Sequence, residues 1–300
     1  MVPVIINTFD VLITEHHRNS HTIDAGSEFK LYCMSDIHWD NPHCQRDILR
    51  KHLNLAKKEN AKVAINGDFF CLMQGKYDPR RSKKDIRLEH NVANYLDAVI
   101  NDAIKWFAPY KDVIIFIGYG NHETSVLKNV ETDPLRRFVE GFNAAHQPET
   151  PITLGGYGGW LTLQFKRTTC RKSYMIYYFH GSGGGGPVTK GTIQHQRQMA
   201  DTEGADAIWM GHVHELYTMY QSKKTLDFFR MPIIKEVLHM RTGTYKEEFE
   251  DGYAGWHVER GAPPKPLGCV TISFRYAKTS NNQQNLVATP NILMHRKTAY

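Results

Sequence analysis

Cysteine is scarce in this 300-residue chain, and long apolar runs are missing altogether. The five cysteines, Cys33, Cys44, Cys71, Cys170 and Cys269, are odd in number and include no C-x-x-C pair. That argues against a disulfide framework and for a reducing compartment. No stretch of about 18 apolar residues occurs, so no membrane-spanning helix and no membrane partner are expected. Residues 1–14 are apolar but broken by Asp10, with neither a basic start nor a small-residue cleavage site. A signal peptide is therefore not expected, and a cytoplasmic location is. There is no internal repeat, which removes solenoids and propellers from consideration. Neither sign of charge dominates: 37 Lys and Arg against 31 Asp and Glu give a net charge of +6. A mildly basic chain suits a polyanionic substrate without requiring one. Hydrophobic content of 41% and charged content of 23% are ordinary for a globular protein.

Five short apolar runs each lead into residues that ligate metals. Residues 31–34 lead into Ser35-Asp36-Ile37-His38, and 63–65 into Asn66-Gly67-Asp68. Residues 113–117 precede Gly120-Asn121-His122-Glu123, residues 175–179 precede His180-Gly181, and residues 207–210 precede Gly211-His212-Val213-His214. Each run has the length and composition of a strand, so the ligands fall just past strand C-termini, where open α/β sheets carry their sites. Asp36 and His38 stand at i and i+2, which on an extended strand end projects both to one face; His212 and His214 repeat that spacing. Asp68 offers two oxygens able to bridge two cations, and Asn121 a neutral amide oxygen.

Around these runs the hydrophobic period alternates between strand and helix. Asn41-Pro42 reads as an N-cap and first helical position, opening a helix with Ile48, Leu49, Leu53, Leu55 and Ala56 on one face. Residues 88–107 read as one long amphipathic helix through Leu88, Val92, Leu96, Val99, Ala103 and Phe107. Asp133-Pro134 starts another. The first half is thus built of βαβ units. From about Trp160 the pattern becomes strand-rich, with paired runs at 161–165 and 174–179 and four more at 216–221, 228–231, 237–240 and 269–276. A second sheet is the simple reading, with 2–13 as an edge strand and 279–285 as a polar loop.

The order D-x-H, G-D, G-N-H-E, H-G, G-H-x-H, running from Asp36 to His214, resembles the calcineurin-like metallophosphoesterase superfamily. The resemblance implies an α/β fold, a four-layer αββα sandwich of two mixed sheets flanked by helices, as a single domain over 1–300. It implies two divalent metal ions: Asp36, His38, Asp68 and His214 would hold one, and Asp68, Asn121, His180 and His212 the other. Nitrogen and oxygen ligands without thiolate favour manganese, with iron, zinc, nickel or cobalt as alternatives, over magnesium or calcium. Two cations about 3.5–4 Å apart generate a bridging hydroxide that attacks phosphorus in line. Asp68 and Asn121 would share in catalysis through the metals and the phosphate oxygens. His122, not needed as a ligand, is assigned general acid, against the alternative that it orients a ligand. Glu123 is read as an orienting residue, and Asp40 as one that orients a ligand histidine.

Three decorations bear on substrate. The segment 75–87 is basic, and Arg80, Arg81, Lys83 and Lys84 are candidate phosphate contacts, against the alternative of a solvated face. The glycine run at 182–186 offers amides for an anion or is simply a loop. Trp39, Phe69, Phe70 and Trp256 are candidates for base stacking, with Phe69 and Phe70 equally readable as core. The long Gly/Pro-rich stretch 243–267 is read as an ordered loop near the site. The motif layout is further similar to SbcD-type repair nucleases and to bacteriophage-encoded members of the family. A phosphodiesterase or nuclease acting on nucleic acid or nucleotides is the leading function. The alternatives are a phosphomonoesterase, including protein phosphatases, and a non-catalytic metal-binding interaction module. Protein phosphatases carry G-D-x-x-D-R-G and an Arg before G-N-H-E; here Phe69-Phe70-Cys71 follows Asp68, and Tyr119 stands in the Arg place.

Overall fold

The computed structural model describes residues 11–72, 86–166, 171–227, 229–249, 256–259, 261–278 and 284–295. Two mixed sheets face each other. One contains β1 (Leu12–His17), β2 (Ser20–Asp24), β7 (Gly158–Lys166), β8 (Arg171–Phe179), β9 (Ala207–Met210), β10 (Tyr217–Leu226) and β11 (Pro232–Arg241), in the order β1-β2-β7-β8-β9-β11-β10. The other contains β3 (Phe29–Met34), β4 (Lys62–Asn66), β5 (Ile114–Gly118), β6 (Thr153–Leu154), β12 (Gly268–Lys278) and β13 (Gln284–Met294), in the order β13-β12-β3-β4-β5-β6. Strands β3, β4 and β5 run parallel in one sheet, and β8 and β9 run parallel in the other. β4, β5 and β9 are covered on both faces, so they read as nearly unbroken apolar runs, whereas β7, paired antiparallel, alternates buried and half-buried positions, and β8 starts exposed and becomes buried only toward its end.

The inter-sheet core holds Leu31, Phe116, Leu163, Ile176, Trp209 and Ile272. On the outer face of the β3–β5 sheet lie α1 (Arg46–Lys58), α2 (Tyr95–Phe107) and α4 (Pro134–His146), burying Leu49, Leu53, Phe107 and Phe138. Between α2 and α4 in sequence comes α3 (Asn121–Val130), which starts at the third ligand motif. On the outer face of the other sheet, α5 (Thr192–Asp201) sets Met199 against Ile208, Met210 and Val237. A short α6 (Trp256–Glu259) follows. This is the four-layer αββα arrangement. No helix among the described residues is long and apolar enough to cross a membrane.

Local chemistry explains where the elements depart from expectation. α4 begins where its sequence says: Asp133 accepts Arg136 N–H at 3.0 Å and Pro134 opens the helix. α1 does not begin at Asn41-Pro42. There the Asn41 side chain accepts His43 N–H at 2.9 Å in a turn of its own, and the helix starts at Arg46. The long helix expected over 88–107 is only α2; Leu88 is 91% and Val92 48% exposed, so the apolar period there reflects no packing. The run 228–231 is the turn between β10 and β11, of which Phe228 lies outside the described residues. Strand β13 reaches into the segment read as a polar loop. Of the proposed edge strand at 2–13, residues 2–10 lie outside the described residues, and β1 supplies the edge.

A buried histidine pair links α5 to the sheet and predicts acid sensitivity. His195 of α5 and His239 of β11 are fully buried, with Nδ1 atoms 3.3 Å apart. Burial pushes His195 down to about 2 and His239 down to about 4, from ordinary values of 6.5. The unfolded chain binds protons below pH 6.5 that the folded pair refuses, so their contribution is complete above 6.5 and is lost as pH falls toward 4. The slope is up to ~1.4 kcal/mol per pH unit for each group. Thermal melts should fall across that window, and a His195→Gln, His239→Gln double variant should flatten the fall. An unchanged slope in the double variant would remove the pair as its cause.

Candidate metal centre

The parallel strands deliver five loops to one end of the sandwich. Their tips are hydrogen-bonded to one another beyond the strands: Asp36 N–H donates to Gly67 O at 3.1 Å, His38 N–H to Asp68 O at 3.0 Å, and Gly211 N–H to His180 O at 2.9 Å. Asn66 ties the sheets together, its amide donating to Phe179 O and Trp209 O at 3.3 Å each. The ligand-type side chains meet in two groups, Asp36 with His38 and His214, all buried, and buried Asp68 and His180 with half-buried His212; within each, the donor atoms lie within 4.8 Å of one another. Asn121 joins the second group through its oxygen, 2.8 Å from His212 Nδ1.

The reason for convergence differs from the extended-strand expectation. Asp36 (φ 52°), His38 (φ 48°), Asp68 (φ 49°), His212 (φ 72°) and His214 (φ 57°) all have left-handed backbone. The loops are curled, and curvature rather than strand alternation aims the side chains. Asp and His tolerate this region better than most residues, yet each such position still costs roughly 1 kcal/mol or more. Glycine does what a side chain would prevent. A Cβ on Gly120 would lie 2.0 Å from Asp68 Oδ1 and 2.2 Å from Asp68 N. Gly120→Ala should therefore displace the Asp68 loop, at a cost of about 1–3 kcal/mol, and weaken cation binding. A melting temperature and cation affinity equal to those of the unmodified protein would show that the loop has room to spare.

The donor chemistry fits cations. His180 Nδ1 donates to Asn66 O at 2.8 Å, which turns Nε2 toward Asp68 Oδ2, 3.2 Å away. Burial disfavours charge on His180, but Asp68 and Asp36 outweigh it and push this imidazole up to about 10. A positive charge is stabilised at that point, held by a proton or by a metal. Burial works against the Asp36 and Asp68 charges too. The imidazoles of His214 and His180 nevertheless hold Asp36 below the usual carboxylate range, and His180 and His122 hold Asp68 well below it. Burial, then the neighbouring His180, pushes His212 down. Neutral His212 has one proton for two oxygens, Gly183 O at 2.9 Å and Asn121 Oδ1 at 2.8 Å. With Nε2–H on Gly183, Nδ1 and the Asn121 oxygen turn lone pairs to a shared point, as a cation requires.

A surrounding layer fixes the loops. Glu123 accepts N–H groups of Asp68 at 3.2 Å, Phe70 at 2.9 Å and Gly120 at 2.9 Å, so it orients the Asp68 loop. Burial, then the Asp68 charge, pushes its carboxyl up to about 8 against those donors. Asp40 does not orient a ligand histidine. It accepts Cys71 N–H at 2.5 Å, Leu72 N–H at 2.9 Å and Tyr95 O–H at 2.9 Å. The Cys71 carbonyl, placed by that grip, lies 2.5 Å from His122 Nδ1, and His122 Nε2 faces Asp68 Oδ2 at 3.9 Å.

Ser35 Oγ donates to Asp36 Oδ2 at 2.5 Å, and Asp36 Oδ2 also accepts His212 N–H at 2.9 Å. The fully buried Arg241 braces the last motif by donating to Gly211 O at 2.6 Å. Of the stretch 243–267, residues 250–255 and 260 lie outside the described residues, while residues just after β11 reach the centre. Thr244 Oγ1 donates to Asp36 O at 2.8 Å, and Glu248 comes within 4.0 Å of His214 Nδ1. Ser35 and Asn66 adjoin the motifs and were findable on that ground; nothing in the sequence marks Arg241.

The substrate decorations fare differently. Arg80, Arg81, Lys83 and Lys84 lie outside the described residues. Arg87, at the end of that basic run, is engaged with Asn41 O and Cys44 O at 3.1 Å each. Trp39, Phe69 and Phe70 are fully buried and serve as core, with Phe69 stacked on Phe138, so they offer no face to a base. Within the glycine run, the Gly183 carbonyl holds His212, while a side chain at Gly184 would meet open space.

Two solved structures show similarity to the chain at low identity. Vps29 of Chaetomium thermophilum is 9% identical, with 89% of this chain and 97% of that chain covered and a TM-score of 0.34. GAP50, described as the anchor in the inner membrane complex of Plasmodium, is 11% identical, with 90% of each chain covered and a TM-score of 0.41. Neither bears on activity. No curated protein matches the sequence significantly. The family model for calcineurin-like phosphoesterase, a family that uses dinuclear metal centres, matches residues 29–216, more than half of the chain and all five ligand loops. The chain belongs to the calcineurin-like phosphoesterase family.

Proposed function

We propose that this protein is a metal-dependent phosphodiesterase or nuclease, cleaving phosphodiester bonds of nucleic acid or nucleotides. The carrying observation is the pair of donor groups, Asp36/His38/His214 and Asp68/His180/His212 with Asn121, beside a histidine belonging to neither. In this reading the first group and Asp68 hold one divalent cation, and Asp68, Asn121, His180 and His212 hold the other. When bound, such a pair lowers the pKa of a water and neutralises charge on the phosphate. Manganese suits the nitrogen and oxygen donors, as do iron, zinc, nickel and cobalt.

The chain's own groups do the rest. His122 keeps its Nδ1 proton on the Cys71 carbonyl and presents Nε2 beside Asp68. With a second proton on Nε2 as imidazolium, it hands that proton to the leaving oxygen as general acid and keeps the one on Nδ1. Asn121 orients a phosphate oxygen through its amide. Glu123 holds the Asp68 and Gly120 amides still during turnover. Tyr119 gives its hydroxyl to Asp133 at 2.6 Å. The guanidinium that protein phosphatases carry there is absent from that position, which favours the diester over the monoester.

The test compares bis-p-nitrophenyl phosphate, p-nitrophenyl phosphate, and single- and double-stranded DNA, each with manganese and with chelator. Chelator-sensitive diester cleavage is the expected outcome. A strong monoester preference would establish the phosphomonoesterase instead. Silence on all four with both cations loaded would leave a metal-holding interaction module.

A further inference from the structure

The β10–β11 hairpin outgrows its sheet. β9 pairs with β11 only at residues 238–241, so among the described residues 232–237 have no strand neighbour but β10, itself the edge of the sheet. Between residues 222 and 236 every described residue is exposed except Asp227 and Lys235, which are half-buried. A two-stranded ribbon standing alone in water is marginal, and this one turns apolar side chains outward. The register puts Leu226 and Ile234 on the face of buried Leu238, and Ile233 on the opposite face, that of buried Val237. Leu226 is 60% and Ile234 67% exposed, and Phe229 and Met231 are exposed at the turn. A groove in a partner protein would cover one face. Apolar side chains on both faces and at the tip fit a medium that closes round the ribbon.

The charges favour the same occupant. Lys223 and Lys224 stand on opposite faces, set back from Leu226 by about 7–10 Å along the strand. Neither they nor Arg230 forms an ion pair among the described residues, whereas Lys235 is paired with Asp206 at 2.8 Å. The two carboxylates of the arm turn inward: Asp227 accepts Met231 N–H at 2.8 Å within the turn, and Glu236 accepts Ser222 O–H at 2.8 Å. An apolar tip with cations just behind it matches a surface that is apolar inside and negative at its rim. A second copy docked arm to arm would set Lys223 and Lys224 against themselves.

We propose that the arm at 222–236 docks the protein on an anionic lipid surface, with the tip entering the acyl boundary and Lys223 and Lys224 meeting the headgroups. A peripheral contact of this kind needs no spanning helix. β11 leads from the arm to Arg241, beside the metal centre, over 10 residues or about 33 Å. The centre therefore stands clear of the bilayer, and docking does not depend on the hydrolase reading.

Full-length protein is sedimented with vesicles of phosphatidylcholine alone and of phosphatidylcholine mixed equally with phosphatidylserine. Binding to the mixed vesicles only is expected, weakening as salt is raised. Lys223→Glu with Lys224→Glu, and separately Leu226→Ser with Ile234→Ser, should each lower the partition coefficient roughly tenfold or more while far-ultraviolet circular dichroism stays unchanged. Hydrogen exchange of the unmodified protein is the check that needs no variant, and amides of the arm should gain protection when mixed vesicles are added. No binding to the mixed vesicles, binding without protection of the arm, or either folded double variant binding like the unmodified protein would overturn the proposal. A dimer in light scattering that Leu226→Ser with Ile234→Ser abolishes, in a protein that ignores both vesicles, would assign the arm to a second copy instead.

Discussion

Asp68→Asn is expected to reduce bound manganese from two ions to one or none and to lower turnover by roughly a thousandfold or more, about 4 kcal/mol. The substitution keeps shape and removes charge. Asp68 Oδ2 faces His180 at 3.2 Å and His122 at 3.9 Å, while Oδ1 accepts His122 N–H at 3.0 Å. Its negative charge therefore lies at the centre of an imidazole cluster, and it is the carboxylate shared by the two proposed cation positions. An amide in its place turns an N–H toward either the backbone donor or the imidazole, and neither arrangement attracts a cation. The same change should return His180 toward the ordinary imidazole range from about 10, since Asp68 and Asp36 are the groups that outweigh burial there. Elemental analysis of the purified variant and an NMR titration of His180 in the metal-free protein read the two effects separately. A fully loaded, active Asp68→Asn would mean that the carboxylate bridges nothing.

His122→Ala should do the opposite to the metals and the same to the chemistry. Both cations stay, because His122 belongs to neither main ligand group. Turnover should fall about 10²–10⁴-fold on diesters with poor leaving groups, the range general acid catalysis supplies. It should fall much less on p-nitrophenyl esters, whose leaving group departs without a proton. A modest stability loss of ~1 kcal/mol is expected as well, because the buried Cys71 carbonyl loses its donor. Equal losses on good and poor leaving groups would reassign His122 to positioning. Normal turnover on poor ones would remove it from the reaction.

Much of this site is legible in the sequence because strand ends announce themselves. A buried parallel strand needs an unbroken apolar run, and whatever polar residue follows it must stand at the sheet's C-terminal edge. Asp36, Asp68, Asn121, His180 and His212 all follow such runs, and the structure gathers them at one end of the sandwich. What could not be read is how they are aimed. The left-handed turns at Asp36, His38, Asp68, His212 and His214 are set by contacts between loops remote in sequence, such as Tyr245 N–H on Asp36 O. The role of Asp40 was misread for a similar reason: proximity in sequence to His38 suggested a partnership, whereas the carboxylate turns toward the amides of Cys71 and Leu72. Helix starts misled where a polar residue had a local alternative. Asn41 caps its own turn, whereas Asp133, with Arg136 N–H in reach, caps a helix. The aromatic residues near the motifs could be read either as stacking platforms or as core, and burial decides for core at Trp39, Phe69 and Phe70.

Anomalous scattering at the manganese edge from crystals grown with that ion reaches the underlying chemistry without a substrate. Two peaks should appear about 3.5–4 Å apart with Asp68 between them. One should be bounded by Asp36, His38 and His214, and the other by Asn121, His180 and His212. No peak in that pocket, or a single ion held elsewhere while these seven side chains keep hydrogen-bonding one another, would contradict the dinuclear centre and every role assigned from it.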